Sequence, residues 1–527
     1  MPKIPTVYLV GAGPGHPGLL TLRAAECLRQ ADLVLYDKLV SPWLLDFAPA
    51  SAERRCVAEL GPSHDERIVP IHETMIAAAL AGKRVVRLKG GDPCIFGRGA
   101  EEAEVLAKAG IPFEIVPGVT AALGAAAFAG ISLTHRACAS AVAFVTGHEN
   151  PNKPESMLDW HALARFPGTL VLYMGMSRIE RIVASLLSEG KDPATLTAVV
   201  QNATLGIQRT LVTTLADLPR RTREEGFTAP ALIIVGPVVA RRDDLAWFER
   251  RPLFGRRVLV TRPRHQTRGM IDRLIDLGAV PFLLPIVEVR EPADWKPVDD
   301  AIHNLRAYDW LVFTSANGVH AFLGRLQQTG RDLRALGHLQ LATIGPRTAD
   351  TLREYRLTPD LVPTRYQSED LAAALLTKIR PGQRVLLARA DRGRDVLRQQ
   401  LSVVCTVEQI AVYSQIDVIE TDEEVMNALR RGEIEFVTLT SSNIAKGFLS
   451  QLDETCQQRI HLGEIKLVSI SSVTSADIRT LGFPITAEAT EATSDGVIDA
   501  VVGLVSTQSE NTSTFSSPFR KQSDRMT

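Results

Sequence analysis

The sequence predicts an α/β fold, and three observations lead to this class. Short β-branched runs such as TVYLV and KRVVRLKG alternate with amphipathic stretches such as LLTLRAAECLRQA, which is the pattern of layered strands and helices. The 527 residues exceed what one hydrophobic core supports, so we expect three or more compact units. The second half also repeats itself. We therefore expect several α/β units in one chain.

The composition is that of an ordinary globular protein, with 45% hydrophobic and 23% charged residues. A formal net charge of -1 predicts neither nucleic acid nor an acidic membrane as a partner. The six cysteines are scattered without a Cys-x-x-Cys pair, which is typical of a reducing compartment and indicates no metal site. No apolar run approaches the roughly 18 residues of a membrane helix. We expect a soluble, cytoplasmic protein.

The alternating pattern breaks once in the middle of the chain and once near its end. The segment RRDDLAWFERRPLFGR at 241–256 is charged, and RVLVTRP then restarts a strand pattern. We therefore predict one unit over residues 1–245 and a second over residues 246–505. Residues 506–527 are rich in Ser and Thr with almost no apolar period, so we expect a disordered tail there.

The glycine-rich start resembles a nicotinamide-binding fingerprint. Residues 13–18 match G-x-G-x-x-G after a strand, and Asp37 ends the next strand, as that fingerprint requires. However, Pro14 and Pro17 remove two backbone donors from the turn. A dehydrogenase is therefore the alternative reading for the first half.

Two further glycine turns lie downstream, in RLKGGDPCIFGRGAEE and in VPGVTAALGAAAFAGISLTHR. Gly90 and Gly91 at a strand end allow a bulky ligand to approach the backbone, and Asp92 can bond a ribose or an ammonium group. Thr120 and Ala121 follow a second tight turn. This arrangement predicts a cofactor pocket.

These segments, together with VGAGPG, LVLYDKLVS, LYMG and QNAT, resemble the uroporphyrinogen-III C-methyltransferases over residues 5–240. The resemblance implies a two-lobed tetrapyrrole-methylase-like fold, a homodimer formed through this unit, and S-adenosylmethionine in the cleft. The cofactor contacts that it implies are Pro14, Gly90, Gly91, Asp92, Ile95, Thr120, Ala121, Met174 and Ala203.

The reaction implied by this resemblance transfers two methyl groups to uroporphyrinogen III and gives precorrin-2. Asp37 matches the proposed general base, and Arg98 and Glu101 are further catalytic candidates on the substrate side. His135 and Arg136 are candidates for binding substrate carboxylates.

Three points qualify this first assignment. Met174, taken alone, reads as a core residue, and Asp37 has a cap at a strand end as its alternative. The chain also has Glu59 in the segment VAEL, where similar proteins carry a Lys that some assign as a proton donor. Because Asp37, Arg98 and the glycine turns are intact, we expect activity to be retained.

The second half contains one α/β module twice. Thr314 to Asn317 recurs as Thr440 to Asn443, and further pairs keep this offset of 126 residues. One copy is large enough to form a lobe, and two lobes form a cleft. Ser and Thr residues at strand-to-helix turns bind carboxylates in such a cleft or cap helices, and for any single residue we favour the cap.

The segments RVLVTRP, LVFTSANGV, ATIGPRTADTL, YQSEDL, LLARADRGRD, AVYSQ and VTLTSSN resemble the uroporphyrinogen-III synthases over residues 255–503. The resemblance implies a duplicated, two-lobed α/β synthase-like fold that closes hydroxymethylbilane into uroporphyrinogen III without cofactor or metal. Tyr413 matches the candidate acid, and the offset of 127 residues between Arg262 and Arg389 maps it onto Ile286, which has no proton to donate. The alternative is a structural Tyr at a strand end.

The candidate carboxylate-binding residues of the second half are hydroxyl residues of the repeated turns and two arginines at strand ends. The arginines have strand-end ion pairs as their alternative role. The set comprises Arg262, Thr314, Ser315, Thr348, Arg389, Ser441, Ser442, Thr474 and Ser494.

Two alternatives of other kinds remain for the whole chain. The alternative to a synthase in the second half is a non-catalytic tetrapyrrole-binding module. A siroheme synthase with a dehydrogenase and chelatase unit is disfavoured because no further α/β unit precedes Val7. We therefore expect precorrin-2 to pass to another protein, and the sequence does not distinguish siroheme from cobalamin as the end product.

Overall fold

The computed structural model describes residues 4–61, 64–148, 157–418 and 422–513. The first lobe contains β1 Val7–Gly11, α1 Leu22–Arg29, β2 Leu33–Tyr36, β3 Glu53–Cys56, α2 His64–Leu80, β4 Val85–Lys89, α3 Gly99–Lys108, β5 Phe113–Val116 and α4 Ala121–Ala129. Its sheet has the order β3-β2-β4-β1-β5, and all its pairs are parallel. Apolar clusters cover both faces of this sheet, which explains the nearly continuous apolar strands.

The second lobe contains β6 Val142–Thr146, α5 Trp160–Ala164, β7 Thr169–Tyr173, α6 Ile179–Ser188, β8 Leu196–Gln201, β9 Arg209–Thr214, α7 Leu218–Glu224, β10 Ala231–Val235 and α8 Arg242–Leu245. Its sheet has the order β6-β7-β10-β8-β9. Only the β6–β7 pair is parallel, and the other pairs are antiparallel. The first half of the chain is therefore a two-lobed α/β unit.

The segment at which we predicted the unit boundary is helical and packs on the first unit. Trp247 donates from Nε1 to the Ala127 carbonyl of α4 at 2.9 Å, and the Phe248 ring lies 4.7 Å from that of Phe128, centroid to centroid. The connection between the units is thus a packed structure.

The second half begins with β11 Arg257–Val260, α9 Arg268–Asp276, β12 Val280–Leu283, β13 Val287–Arg290, α10 Lys296–His303, β14 Trp310–Phe313, α11 Ala316–Gln328, β15 Gln340–Thr343, α12 Pro346–Glu354, α13 Ser368–Leu376, β16 Arg384–Ala390, α14 Val396–Leu401 and β17 Thr406–Asp417. It continues with α15 Glu423–Arg430, β18 Phe436–Leu439, α16 Ser442–Ser450, α17 Glu454–His461, β19 Lys466–Ser469, α18 Ser472–Thr480, β20 Ala487–Glu488 and α19 Ser494–Ser513. These elements form two sheets, with the orders β12-β11-β18-β19-β20 and β13-β17-β16-β14-β15.

The prediction that each copy of the repeat forms one lobe is wrong. The third lobe takes β11 and β12 from the first copy and β18, β19 and β20 from the second copy. The fourth lobe takes β13, β14 and β15 from the first copy and β16 and β17 from the second. Because the copies are similar, either one offers equivalent strand partners, so the exchange keeps the same pairing contacts. The chain consequently crosses twice between these lobes.

The end of the last helix and the hydropathy of the helices bear on the predicted tail and on the predicted lack of a membrane helix. The last helix, α19, continues to Ser513, so the predicted tail begins inside a helix, and residues 514–527 lie outside the described residues. Among the described helices, none is long and apolar enough to cross a membrane.

Candidate active sites

Three glycine turns of the first lobe meet at the carboxyl ends of β1, β4 and β5. A Cβ atom on Gly118 would lie 2.3 Å from the Gly91 carbonyl oxygen and 2.8 Å from the Gly11 Cα. Gly13 donates to the Gly91 carbonyl at 3.1 Å, and Gly91 donates back to Gly13 at 2.8 Å. Side chains are excluded where these backbones touch. We call Gly11, Gly13, Gly91 and Gly118 the glycine platform.

Asp92 holds the platform together. Its Oδ2 accepts a hydrogen bond from the Gly118 amide at 3.0 Å, and its Oδ1 accepts one from the Cys94 amide at 2.8 Å. Gly90 lies beside this carboxylate, and a Cβ atom added to it would meet no atom within 4 Å. Gly90 therefore borders open space at the end of β4, and Gly91 and Asp92 follow it in the turn.

Tyr173 at the end of β7 connects the second lobe to this site. Its hydroxyl lies 2.6 Å from the Thr120 Oγ1 and accepts a hydrogen bond from the Ala122 amide at 2.9 Å. Burial raises the pKa of Tyr173 above its ordinary value, so the hydroxyl keeps its proton. Sequence reasoning missed this residue, although it stands directly before Met174 in the quoted segment LYMG.

Apolar side chains are exposed around this junction. Ile95, Phe96 and Met174 are 38%, 41% and 50% exposed, and the last two have positive φ angles of 55° and 53°. The Phe96 ring lies 4.8 Å from the Tyr173 ring. Exposed apolar groups on strained backbone are typical of ligand sites. Because half of Met174 is exposed, its alternative interpretation as a core residue is wrong.

The remaining predicted cofactor residues lie where the loops after β1 and β8 meet. A Cβ atom on Gly124 of α4 would lie 2.4 Å from the Pro14 Cγ, so Pro14 packs against this helix. Ala203 stands between Asn202 and Thr204, whose φ angles are 48° and 71°. The structure thus brings the predicted cofactor residues onto a chain of contacting loops from both lobes.

The nicotinamide fingerprint does not have the geometry that a dehydrogenase requires. The glycine run leads into a 3-10 helix of only three residues, Pro17–Leu19, and the first α-helix begins later, after its Thr21 cap. The sheet also places β4 between β2 and β1, unlike the dinucleotide-binding order. The α-helix that follows the glycine run along the chain therefore does not begin at it.

Asp37 belongs to a buried network of four charged side chains. Its Oδ1 accepts a hydrogen bond from Arg87 Nη2 at 2.5 Å, and its Oδ2 accepts a longer one from the Gly90 amide at 3.4 Å. Arg87 Nε and Lys89 Nζ both donate to Glu102 Oε1, at 3.1 and 2.8 Å. The Asp37 side chain is 33% exposed, and its three partners are almost fully buried. Asp37 is therefore paired with the buried Arg87 and is still partly exposed to solvent.

The electrostatics of this network differ between its two cations. Burial opposes the charge of Arg87, but the carboxylates of Asp37 and Glu102 outweigh it and raise the Arg87 pKa. Burial and the neighbouring Arg87 lower the pKa of Lys89. Sequence reasoning did not select Arg87, Lys89 or Glu102. The available signal was a pair of charged residues in the otherwise apolar strand VVRLK.

The other predicted residues of the first unit lie nearer the surface. Arg98 and Glu101 pair with each other at 2.5 Å at the start of α3. His135 and Arg136 lie in the loop between α4 and β6, where His135 Nδ1 accepts from the Ala137 amide at 3.1 Å. Within the described ranges, neither of these loop residues has a polar contact with the glycine platform. Glu59 is exposed in a 3-10 helix after β3.

The lobes of the second half present cations to each other. Arg262 after β11 donates to Ser494 Oγ and, at 3.2 Å, to Gln266 Oε1. Burial and the positive charge of Arg347, which lies on α12 of the fourth lobe, lower the pKa of Arg262 to about 10. No carboxylate of the described residues pairs with either guanidinium. This arrangement favours an anionic ligand between the lobes.

Tyr413 lies near the carboxyl end of β17 and is 6% exposed. Its hydroxyl is 3.0 Å from Ser315 Oγ, and burial raises its pKa, although Ser315 and Arg389 oppose the shift. Arg389 itself donates to the carbonyls of Arg394 and Arg392 at 2.8 and 3.4 Å. Arg389 therefore binds the backbone of the loop after β16. Among the described residues it forms no ion pair, unlike its alternative role at a strand end.

The repeated hydroxyl residues mostly serve the helices. Ser315 Oγ accepts a hydrogen bond from the Gly318 amide at 3.0 Å, and Ser441 Oγ accepts one from the Ile444 amide at 3.2 Å. Both residues therefore cap helices, which is the role that the sequence favoured. Ser315 alone of this pair also contacts Tyr413. Thr314 and Ser442 lie beside these two caps, and the other predicted residues lie in the first turns of three further helices: Thr348 on α12, Thr474 on α18 and Ser494 on α19.

Comparisons with known proteins match both halves of the chain. Residues 6–219 match the family model described as tetrapyrrole (corrin/porphyrin) methylases, and residues 269–499 match the model described as uroporphyrinogen-III synthase HemD. The porphyrin biosynthesis protein HemD of Ruminiclostridium josui is 35% identical over 85% of this chain and 89% of its own length.

Single-unit relatives match the first half more strongly. The S-adenosyl-L-methionine-dependent uroporphyrinogen III methyltransferase of Methanosarcina barkeri is 48% identical over 45% of this chain and 94% of its own length. A crystal structure of the Thermus thermophilus uroporphyrin-III C-methyl transferase with S-adenyl homocysteine is 41% identical, covering 44% of this chain and 93% of that one, with a TM-score of 0.38. The chain spans about half the length of the siroheme synthases that it matches.

Proposed function

The first part of this chain belongs to the tetrapyrrole methylases and its second part to the uroporphyrinogen-III synthases, and from this membership we propose a bifunctional enzyme of tetrapyrrole biosynthesis. The second unit closes hydroxymethylbilane to uroporphyrinogen III, and the first unit methylates that product twice to give precorrin-2. We assign the units to residues 1–245 and 246–505, which contain the two matched ranges. The glycine platform is the observation that carries the methylase part of the proposal.

The first unit fits S-adenosylmethionine as its cofactor. The platform excludes side chains, so a ligand can approach its backbone closely, and the exposed Ile95, Phe96 and Met174 provide apolar contacts beside it. Such a surface suits a nucleoside with an amino-acid arm joined through a sulfonium. When bound, this cofactor supplies the methyl group. Its contacts are Pro14, Gly90, Gly91, Asp92, Ile95, Thr120, Ala121, Met174 and Ala203.

The chemistry left to the protein is proton removal and positioning. Asp37 takes the proton that the alkylated substrate must lose after methyl transfer, because its carboxylate is partly exposed and lies next to the Gly90 turn. Arg87 donates a hydrogen bond to this carboxylate and so orients it. Arg98, His135 and Arg136 bind substrate carboxylates, and Glu101 orients Arg98.

The second unit needs an acid and a means to fold the linear substrate. Tyr413 donates a proton to the departing hydroxyl of hydroxymethylbilane, since its raised pKa keeps it protonated at neutral pH. Arg262 binds a carboxylate arm between the lobes. We assign further carboxylate contacts to the repeated turns at Thr314, Ser315, Thr348, Ser441, Ser442, Thr474 and Ser494, and to Arg389.

One binding experiment and one turnover experiment on the full chain separate this proposal from its alternatives. Calorimetry with S-adenosylhomocysteine should give tight binding, and NADH should give none, whereas the reverse result would support a dehydrogenase. Hydroxymethylbilane without methyl donor should give the type III isomer. Accumulation of only the type I isomer would support a non-catalytic module in the second half.

The assembly and location are part of the same proposal. We propose a cytoplasmic homodimer formed through the methylase unit, with tetrapyrroles as its small-molecule partners. Light scattering of the purified chain should give twice the mass of 57.5 kDa. A mass of one chain at micromolar concentration would contradict the dimer.

A further inference from the structure

Two loops of the cofactor site contact the same helix end of the second unit. The loop after β8, which carries Ala203, continues to Gly206, where a Cβ atom would lie 2.6 Å from the Gly278 carbonyl oxygen and 2.7 Å from that of Ala279. Gly278 and Ala279 form the turn between α9 and β12. This contact is therefore made backbone to backbone.

The loop after β1 reaches the same helix end through His16. The His16 amide donates to Thr204 Oγ1 at 3.0 Å, which ties this loop to the loop after β8. The His16 Nε2 lies 3.6 Å from Asp276 Oδ1 at the last residue of α9. The imidazole is 11% exposed, and its ring lies 5.5 Å from that of Phe128 on α4.

The other end of α9 also contacts the first unit. The Arg268 guanidinium lies 3.8 Å over the Phe47 ring, and Arg264, just before the helix, pairs with Asp46 at 3.0 Å. A cavity of about 270 Å³ separates the two ends of the contact. The helix α9 thus touches the first unit at both ends.

The same helix follows directly after the synthase cleft. Arg262, the candidate carboxylate-binding residue, precedes α9 by a single 3-10 turn, Arg264–Gln266. The helix α9 therefore lies between the synthase cleft and the loops of the methylase site.

We propose that α9 and the turn after it are positioning elements of the methylase cofactor site. The second unit holds the loops that carry Pro14 and Ala203 in the arrangement that binds the cofactor. Asp276 and Gly278 act through His16 and Gly206 and do not touch the cofactor themselves. This inference rests on the proposed function, because it takes S-adenosylmethionine as the ligand of these loops.

Gly206→Ala tests this proposal. Gly206 has no positive φ angle, so alanine fits its backbone, and the three atoms nearest to its new methyl group belong to Gly278 and Ala279. We expect S-adenosylhomocysteine to bind the full-length variant about tenfold more weakly, or about 1.4 kcal/mol. Calorimetry gives the affinity, and turnover of hydroxymethylbilane is measured on the same sample.

Gly269→Ala is the matched control. It lies on α9, has no positive φ angle, and an added Cβ atom meets no atom within 4 Å. The control should bind S-adenosylhomocysteine like the unmodified chain, and both variants should keep the synthase turnover, which general destabilisation would lower. Unchanged affinity in a folded Gly206→Ala variant would overturn the inference, while failure of the unmodified chain to bind would overturn the proposed function with it.

Hydrogen exchange on the unmodified chain gives a test that needs no variant. S-adenosylhomocysteine should slow exchange in residues 13–18 and 202–206, as the proposed function requires, and also in residues 274–280 of the second unit. Protection of the two loops without protection of 274–280 would contradict the positioning role. This result decides the matter if Gly206→Ala does not fold.

Discussion

The two candidate sites are built from different materials. The methylase site is made of main chain, because a Cβ atom at Gly11 or Gly118 would overlap a neighbouring backbone. The synthase cleft is made of side chains, namely Tyr413, Ser315 and Arg262, on strand ends and helix caps. A site made of glycine backbone leaves a specific sequence motif, whereas helix-cap hydroxyls recur wherever the fold recurs.

The two units also differ in how their buried cations are paired. In the first unit Arg87 and Lys89 are neutralised by Asp37 and Glu102 within the fold. In the second unit Arg262 has no carboxylate partner among the described residues, and it faces the charge of Arg347. The cations of the first network are therefore balanced by carboxylates within the fold, whereas the second arrangement is stabilised when an anion binds.

Gly118→Ala should have the largest effect. Its new methyl group would overlap backbone atoms of Gly91 and Gly11 at 2.3 and 2.8 Å, and no flexible side chain can yield. We expect calorimetry to show about a thousandfold weaker binding of S-adenosylhomocysteine, or about 4 kcal/mol. Gly324→Ala in α11, where no atom lies within 4 Å, is the control. Binding at near-normal affinity in Gly118→Ala would contradict a site made of main chain.

Arg87→Met should destabilise the first unit. It leaves Asp37 and Glu102 with only Lys89 as a cation, and unpaired buried charge costs about 3 kcal/mol or more. Denaturant unfolding measures this loss, and methylation should fall because Asp37 loses its partner. Arg87→Lys should recover only part of both, since one ammonium cannot reach the two carboxylates as the guanidinium does. Equal stability of Arg87→Met and the unmodified chain would contradict the network.

Tyr413→Phe should slow cyclisation about a hundredfold, or about 2.7 kcal/mol in the barrier, if its hydroxyl is the acid. Stability should change little, because the substitution removes only the hydroxyl with its bonds to Ser315 and Asn317. Since its pKa is raised above 10, the active form persists as pH rises, and no activity loss from this group should occur below about pH 10. Turnover against pH checks both. A rate within about twofold of normal would show that Tyr413 is structural.

Ser441→Ala and Ser315→Ala should have the smallest effects, and they compare the two copies of the repeat directly. Each removes a helix cap and should cost about 1 kcal/mol in the free energy of unfolding. Only Ser315→Ala also removes a partner of Tyr413, so it should lower the cyclisation rate more than Ser441→Ala does. Equal rates in the two variants would show that the hydroxyl at 315 serves only the helix.

The sequence predicted the α/β class and the cofactor loops because strand alternation and glycine turns are local features. It did not predict the exchange of strands between the two copies, since β18 pairs with β11 through contacts that no local pattern encodes. Tyr173 and Arg87 were missed for the same reason. Their roles depend on Thr120 and Asp37, which are distant along the chain.

The most direct test of the central claim supplies the full chain with hydroxymethylbilane and S-adenosylmethionine together and identifies the product by mass and spectrum. The account predicts precorrin-2, the type III macrocycle carrying two added methyl groups. Unmethylated uroporphyrinogen III as the only product would contradict the methylase assignment, and uroporphyrinogen I as the only macrocycle would contradict the synthase assignment.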